Sequence, residues 1–131
     1  MSIVSYSGKG TVRKKMILAI DDMPEVLQTT KALLQDEFTV YCMTNHSDAL
    51  RFLASTVPDA ILLDIEMPGM NGFDVVRTIR RLPQCRTVPI IFLTSNASID
   101  NVINSVASGA NDFIAKPVDH EILMSKIEKY I

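Results

Sequence analysis

The stretch Ala60-Ile61-Leu62-Leu63-Asp64-Ile65-Glu66-Met67-Pro68-Gly69-Met70-Asn71-Gly72-Phe73 constrains the chain more than any other. An unbroken aliphatic run of this length reads as a strand buried on both faces, and such a strand cannot continue through a carboxylate. Asp64 therefore stands at the carboxyl end of a strand, where open α/β sheets build their binding crevices. Pro68-Gly69 and Asn71-Gly72 then supply turn residues, and Phe73 restarts an apolar pattern at helical spacing.

The same alternation repeats along the chain. Lys15 to Ile20 reads as a short buried strand ending in Asp21-Asp22, and Pro24 opens a helix with Val26, Leu27, Thr30, Leu33 and Leu34 on one face. Phe38 to Met43 is a second strand. Ser47 is expected to cap a helix striped by Ala49, Leu50, Leu53, Ala54 and Val57 and ended by Pro58. After the Asp64 loop, Val75, Val76, Ile79 and Leu82 carry a helix to Pro83, and Val88 to Leu93 forms a fourth strand closing in Thr94-Ser95-Asn96. Ile99, Val102, Ile103 and Val106 recur at helical spacing before Gly109, and Phe113 to Ala115 is a brief strand before Lys116-Pro117. Asp119 caps a last helix, with Ile122, Leu123, Ile127 and Tyr130 expected inward.

Strand and helix in strict alternation predict an α/β fold with a five-stranded parallel sheet, doubly wound, in the flavodoxin-like order 2-1-3-4-5. In that order the first and third strands are neighbours. Asp21, Asp22 and Asp64 then share one rim of the sheet with Thr94 and Lys116.

A chain of 131 residues fits a single domain, expected over residues 14–131, with residues 1–13, rich in Ser and Gly, as a flexible leader or linker. No apolar run approaches a membrane span or a signal-peptide core, so the cytoplasm is the expected compartment. Cys42 and Cys85 are read as reduced thiols. A net charge of -2 argues against direct nucleic-acid binding. Arg77, Arg80, Arg81 and Arg86 form a local basic excess, read as a solvated helix face, with a docking surface as the alternative.

Three carboxylates converging on one rim repel one another by about 4 kcal/mol per pair at 4 Å and an effective dielectric near 20, so they require a cation. Mg²⁺ suits oxygen ligands, and the absence of His and Cys from these loops argues against zinc or copper. Lys116 adds a second cationic contact and Thr94 a hydroxyl. These are the parts that cradle a phosphoryl group on a carboxylate.

The set of motifs resembles the receiver domain of two-component response regulators, over about Lys15 to Ile131. The resemblance rests on Asp21-Asp22 after the first strand, Asp64 to Gly72 after the third, Thr94 after the fourth and Lys116-Pro117 after the fifth. It implies that Asp64 is the phosphoacceptor, taking a phosphoryl group from a sensor histidine kinase, a phosphotransfer protein or a small donor such as acetyl phosphate. It further implies Mg²⁺ (or Mn²⁺) held by Asp21, Asp22, Asp64 and the backbone carbonyl of Glu66. Lys116 would contact the phosphoryl group, Thr94 and Phe113 would act as switch residues, and Lys116-Pro117 would be a cis peptide. Phe113 stands where many relatives carry Tyr, and Glu66 and Asn96 occupy positions that tune the phosphoryl lifetime in that family.

The expected role is a phosphorylation-driven switch rather than a turnover enzyme, a monomer or weak dimer read out through the fourth helix, fifth strand and fifth helix. The fourth helix is expected to expose Asn101, Asn104, Ser105 and Ser108, with Asp100 its only charge, and so to favour a neutral, hydrogen-bonding partner. With no effector domain in the sequence up to Ile131, the chain is expected to be a stand-alone regulator, a phosphorelay intermediate or a receiver from a longer protein. Two rivals are an Mg²⁺-dependent phosphohydrolase with Asp64 as nucleophile and Glu66 as acid or base, and a receiver-like module that binds partners without phosphorylation.

Overall fold

The computed structural model describes residues 13–131; the expected leader over residues 1–13 lies, Arg13 apart, outside the described residues. The elements in chain order are β1 (Lys15–Ile20), α1 (Pro24–Leu34), β2 (Phe38–Met43), α2 (His46–Leu53) and β3 (Ala60–Asp64), then α3 (Gly72–Arg81), β4 (Ile90–Thr94), α4 (Ile99–Ser108), β5 (Asp112–Ala115) and α5 (His120–Tyr130). The five strands pair in parallel in the order 2-1-3-4-5, as the alternation predicts. A two-residue antiparallel ribbon, Glu66–Met67 against Met70–Asn71, fills the connection after β3.

The pleat sends alternate residues of the central strands to opposite cores. Leu18, Ile20, Ile61, Leu63, Ile90 and Phe92 meet α2 and α3 through Ala49, Leu53, Val76 and Ile79. Ile17, Ala19, Leu62, Ile91, Leu93 and Ile114 meet α1 and α5 through Leu27, Leu34, Leu123 and Ile127. Each fully buried Leu or Ile contributes about 1.5–3 kcal/mol, so the central strands are the most firmly anchored part of the chain. Their carboxyl ends are consequently a rigid platform.

Gly72 ties that platform to α3. Its N–H donates to the Ile65 carbonyl at 3.2 Å, and a Cβ there would lie 2.8 Å from both Cα and O of Ile65. Those are backbone atoms at the end of a buried strand and cannot step aside. Gly72→Ala is therefore expected to lower the unfolding free energy by about 2 kcal/mol, read from urea denaturation; an unchanged midpoint would show that the loop gives way.

Four expectations are corrected. The N-cap of α2 is Asn45, whose side-chain oxygen accepts from Asp48 N at 2.8 Å, not Ser47, and the helix stops at Leu53, leaving Val57 48% exposed in the following loop. Asn binds a first-turn N–H at least as well as Ser, so the earlier of the two candidates prevails. On α5, Ile122 is half exposed while Leu123 and Ile127 fill the core, because those two lie one turn apart on the inward stripe and Ile122, one residue earlier, stands about 100° around the helix from Leu123.

The other two corrections concern α4 and the basic cluster. Ser105 and Ser108 are buried, whereas Ile103 and Val106 are 58% and 68% exposed. Burying the serines costs little, since Ser105 Oγ donates to the Asn101 carbonyl at 2.7 Å and Ser108 Oγ to the Ser105 carbonyl at 2.8 Å. Arg80, meanwhile, is half-buried rather than solvated. Its guanidinium donates to the carbonyls of Gly109, Cys85 and Val88 and to Asn111 Oδ1, at 2.6 to 3.1 Å.

Candidate functional site

Register brings the polar strand ends together. Ile20 pairs with Leu63, Asp64 with Leu93 and Thr94 with Ala115, so the residues following β1 and β5 flank the last residues of β3 and β4. Asp21, Asp64 and Thr94 are buried at 2%, 3% and 1% exposure, and Asp22 is half-buried. Polar groups so deep need partners.

Lys116 supplies one of them. Its Nζ lies 3.1 Å from Asp21 Oδ2 and 3.3 Å from Asp64 Oδ1, bridging the two carboxylates. The Lys116 N–H donates to the Thr94 carbonyl at 2.7 Å, which fixes the lysine's origin to β4, and the Lys116–Pro117 peptide bond is cis. Asp21 Oδ1 accepts from Met23 N at 3.0 Å, and Asp64 Oδ1 accepts from Glu66 N at 3.1 Å. Among the described residues, every hydrogen bond to the Asp64 carboxylate falls on Oδ1 and none on Oδ2.

One ammonium does not balance this acidic group. Burial pushes the Asp64 carboxyl above its ordinary value; the Glu66 N–H works against that, the Asp21 charge adds to it, and Lys116 only partly offsets it. Burial opposes the Lys116 ammonium as well, but its hydrogen bond to Asp21 and the charges of Asp21 and Asp64 outweigh this and raise it above the usual lysine value. Lys116 thus stays protonated through neutral pH.

Asp21, Asp22 and Asp64 each offer a carboxylate oxygen, and these oxygens lie within 4.8 Å of one another. An all-oxygen donor set of this span, carrying uncompensated negative charge, fits a hard divalent cation. The Glu66 backbone adjoins the same carboxylate through its N–H.

Thr94 Oγ1 accepts from Asn96 N at 2.9 Å and donates to the Asn96 carbonyl at 3.0 Å, so the hydroxyl is turned onto its own loop. Phe113 is half-buried against the core of the α2 and α3 face, with Lys126 Nζ 5.5 Å from its ring centroid. Lys126 also pairs with Asp112 at 2.7 Å. Ser95, which sequence reasoning passed over, faces the site through its contact with Glu66, and no spacing rule marks such a contact between two loops. A groove of about 490 Å³ opens beside Lys116, walled by Glu25, Val26, Thr29, Ser95, Pro117 and Val118.

Comparison with known proteins agrees with this geometry. The family model described as the response regulator receiver domain matches residues 17–128. The chain is 32% identical over 121 residues to an uncharacterized 14.6 kDa protein of Leptolyngbya boryana, covering 92% of each. It is 35% identical over 112 residues to the response regulator PleD of Caulobacter vibrioides, but spans 25% of that longer protein. Among solved structures, the chemotaxis response regulator CheY4 of Vibrio cholerae superposes with a TM-score of 0.87 at 28% identity, over 91% of this chain and all of that one. The receiver domain of a sensor histidine kinase from Pseudomonas aeruginosa, solved with a magnesium ion coordinated in its active-site cleft, gives 0.83 at 30% identity, covering 90% of this chain and 98% of that one.

Proposed function

The chain belongs to the response regulator receiver domain family, and from that membership we propose that it is a switch charged by phosphoryl transfer to Asp64. The observation that carries the reading is the Lys116 ammonium bridging Asp21 and Asp64, two members of a three-carboxylate cluster. Asp64 Oδ2 attacks the phosphorus of a phosphohistidine or of a small acyl phosphate. The new O–P bond forms as the donor's N–P or O–P bond breaks, and the bonding pair leaves with the donor. Lys116 stays charged and meets the oxygens of the transferred group.

Asp21, Asp22 and Asp64, with the Glu66 carbonyl, would hold Mg²⁺ or Mn²⁺. Such an ion, when bound, neutralises the charge gathered on the carboxylates and phosphoryl oxygens. Oxygen donors alone do not separate the two metals.

The partner that delivers the phosphoryl group is a sensor kinase or phosphotransfer protein in the cytoplasm, and the groove between α1 and the Pro117 turn is its approach. The product surface is α4, β5 and α5. Because α4 presents Ile103 and Val106 rather than serines, the contact it offers a target is apolar, not the neutral hydrogen-bonding surface expected from the sequence. No helix among the described residues is long and apolar enough to cross a membrane.

The test is intact mass after incubation with acetyl phosphate, with and without EDTA. A single labile adduct that needs divalent metal supports the switch, whereas multiple turnover of an unrelated phosphate ester would support a phosphohydrolase. Lys116→Met is expected to slow adduct formation about 100-fold while Asp64 remains the acceptor, because the fixed cation is lost from the transfer. An unchanged rate would remove Lys116 from the site.

A further inference from the structure

The transfer to Asp64 leaves the Glu66 side chain without a part. That side chain is tied instead to Ser95. Its Oε1 accepts from Ser95 Oγ at 2.9 Å and, more weakly, from Ser95 N at 3.4 Å. The two residues come from different loops, one after β3 and one after β4. Glu66 starts from a fixed point, since its backbone pairs with Asn71 in the ribbon and donates to Asp64. Ser95 directly follows Thr94, whose hydroxyl is engaged with Asn96.

Turning the Thr94 hydroxyl toward a group on Asp64 breaks its bond to the Asn96 carbonyl and so lets the loop after β4 shift. The contact with Glu66 resists that shift. Converting the Asp64 carboxylate to an acyl phosphate adds about one further negative charge two residues from the Glu66 carboxylate, which repels it from the cleft. The same event that permits the movement removes the restraint.

We propose that Glu66 and Ser95 form a latch that holds the loop after β4 closed in the unphosphorylated chain and is released by the charge arriving on Asp64. This rests on the reading of Asp64 as phosphoacceptor. The Glu66 side chain is then a positioning group that acts through Ser95 and does not touch the reacting atoms. The Glu66 carboxylate occupies the Ser95 donors until the phosphoryl group displaces it.

A double-mutant cycle on the full chain separates the latch from a bulk charge effect. Phosphoryl uptake from acetyl phosphate is followed by intact mass for the wild type, Glu66→Ala, Ser95→Ala and the double variant, with amide exchange of the loop after β4 measured in each unphosphorylated protein. Each single variant is expected to take up the group about three- to tenfold faster than the wild type and to exchange faster at Ser95 and Asn96, with the double variant no faster than either. Ser95→Ala is decisive because it keeps the net charge. Acceleration by Glu66→Ala alone would assign the effect to charge and overturn the latch, as would additive single effects or equal rates in all four proteins. If the wild type takes up no phosphoryl group, the phosphoacceptor reading fails by itself. Unchanged amide exchange in Ser95→Ala would then overturn the latch independently.

Discussion

Asp64→Asn is expected to abolish phosphoryl uptake while making the metal-free protein more stable. An amide oxygen is a poor nucleophile, and the rate of adduct formation with acetyl phosphate should fall by more than about 1,000-fold. The gain in stability has a separate cause. Burial, together with the charge of Asp21, raises the Asp64 carboxyl above its ordinary value, so the folded chain keeps that proton to a higher pH than the unfolded chain does. Wild-type stability therefore falls as pH climbs from the ordinary aspartate value through the raised one, and it stays lowered above that window. Asparagine keeps an oxygen for Lys116 and Glu66 N without the charge. In EDTA at neutral pH the variant should be more stable by on the order of 1 kcal/mol, or about 4 °C in Tm.

Asp112 shifts the other way and serves as an internal control. Burial opposes its ionised form, but hydrogen bonds from Lys126, Phe113 N and Tyr130 outweigh this and lower its carboxyl. Its contribution is present above the ordinary aspartate value and is lost as pH falls, in the wild type and in Asp64→Asn alike. The difference between the two pH profiles of Tm thus isolates Asp64. Parallel profiles would mean that the cluster is not strained in the absence of metal.

The largest loss of stability is expected not at the site but at Arg80. Arg80→Met keeps the aliphatic stem and removes the guanidinium that gathers Cys85 and Val88 from the stretch before β4 and Gly109 and Asn111 from the stretch after α4. Asn111 Oδ1 also accepts from Ile90 N at 2.9 Å, so the network continues into the start of β4. Losing several charge-assisted bonds to half-buried carbonyls should cost about 2–4 kcal/mol in urea denaturation. Amide exchange at the carboxyl end of α4 should accelerate with it. Arg77→Met, on the same helix, removes an exposed pair with Asp74 and should change stability by less than about 0.5 kcal/mol. Equal losses from the two variants would contradict the assignment.

These two arginines mark where the sequence stops being legible. Position and spacing placed both on the outer face of α3, and for Arg77 that reading describes the structure. Arg80 differs because Gly109 ends α4 in a left-handed turn, φ 107°, within reach of its guanidinium, a contact set by a residue far along the chain. The Asp64 loop could be read because a buried strand meeting a carboxylate leaves little choice and because Pro68-Gly69 and Asn71-Gly72 signal a turn, whereas the close packing of Gly72 on Ile65 could not. The faces of α4 could not. Ile103 and Val106 recur at the helical spacing that core residues show elsewhere, yet serines that satisfy their own hydroxyls take the buried side unannounced. Glu66 was visible as an acid near the site, but its tie to Ser95 depends on how two loops meet.

Reductive trapping shows directly whether Asp64 itself receives the phosphoryl group. The protein is incubated with acetyl phosphate and Mg²⁺, treated with borohydride, digested and sequenced by mass spectrometry. An aspartyl phosphate is reduced to homoserine under these conditions, whereas a free aspartate is untouched. The prediction is homoserine at position 64 and at no other acidic position, lost when EDTA is present. Homoserine at position 21 or 22, or none at position 64 in a sample that carries the intact-mass adduct, would contradict it.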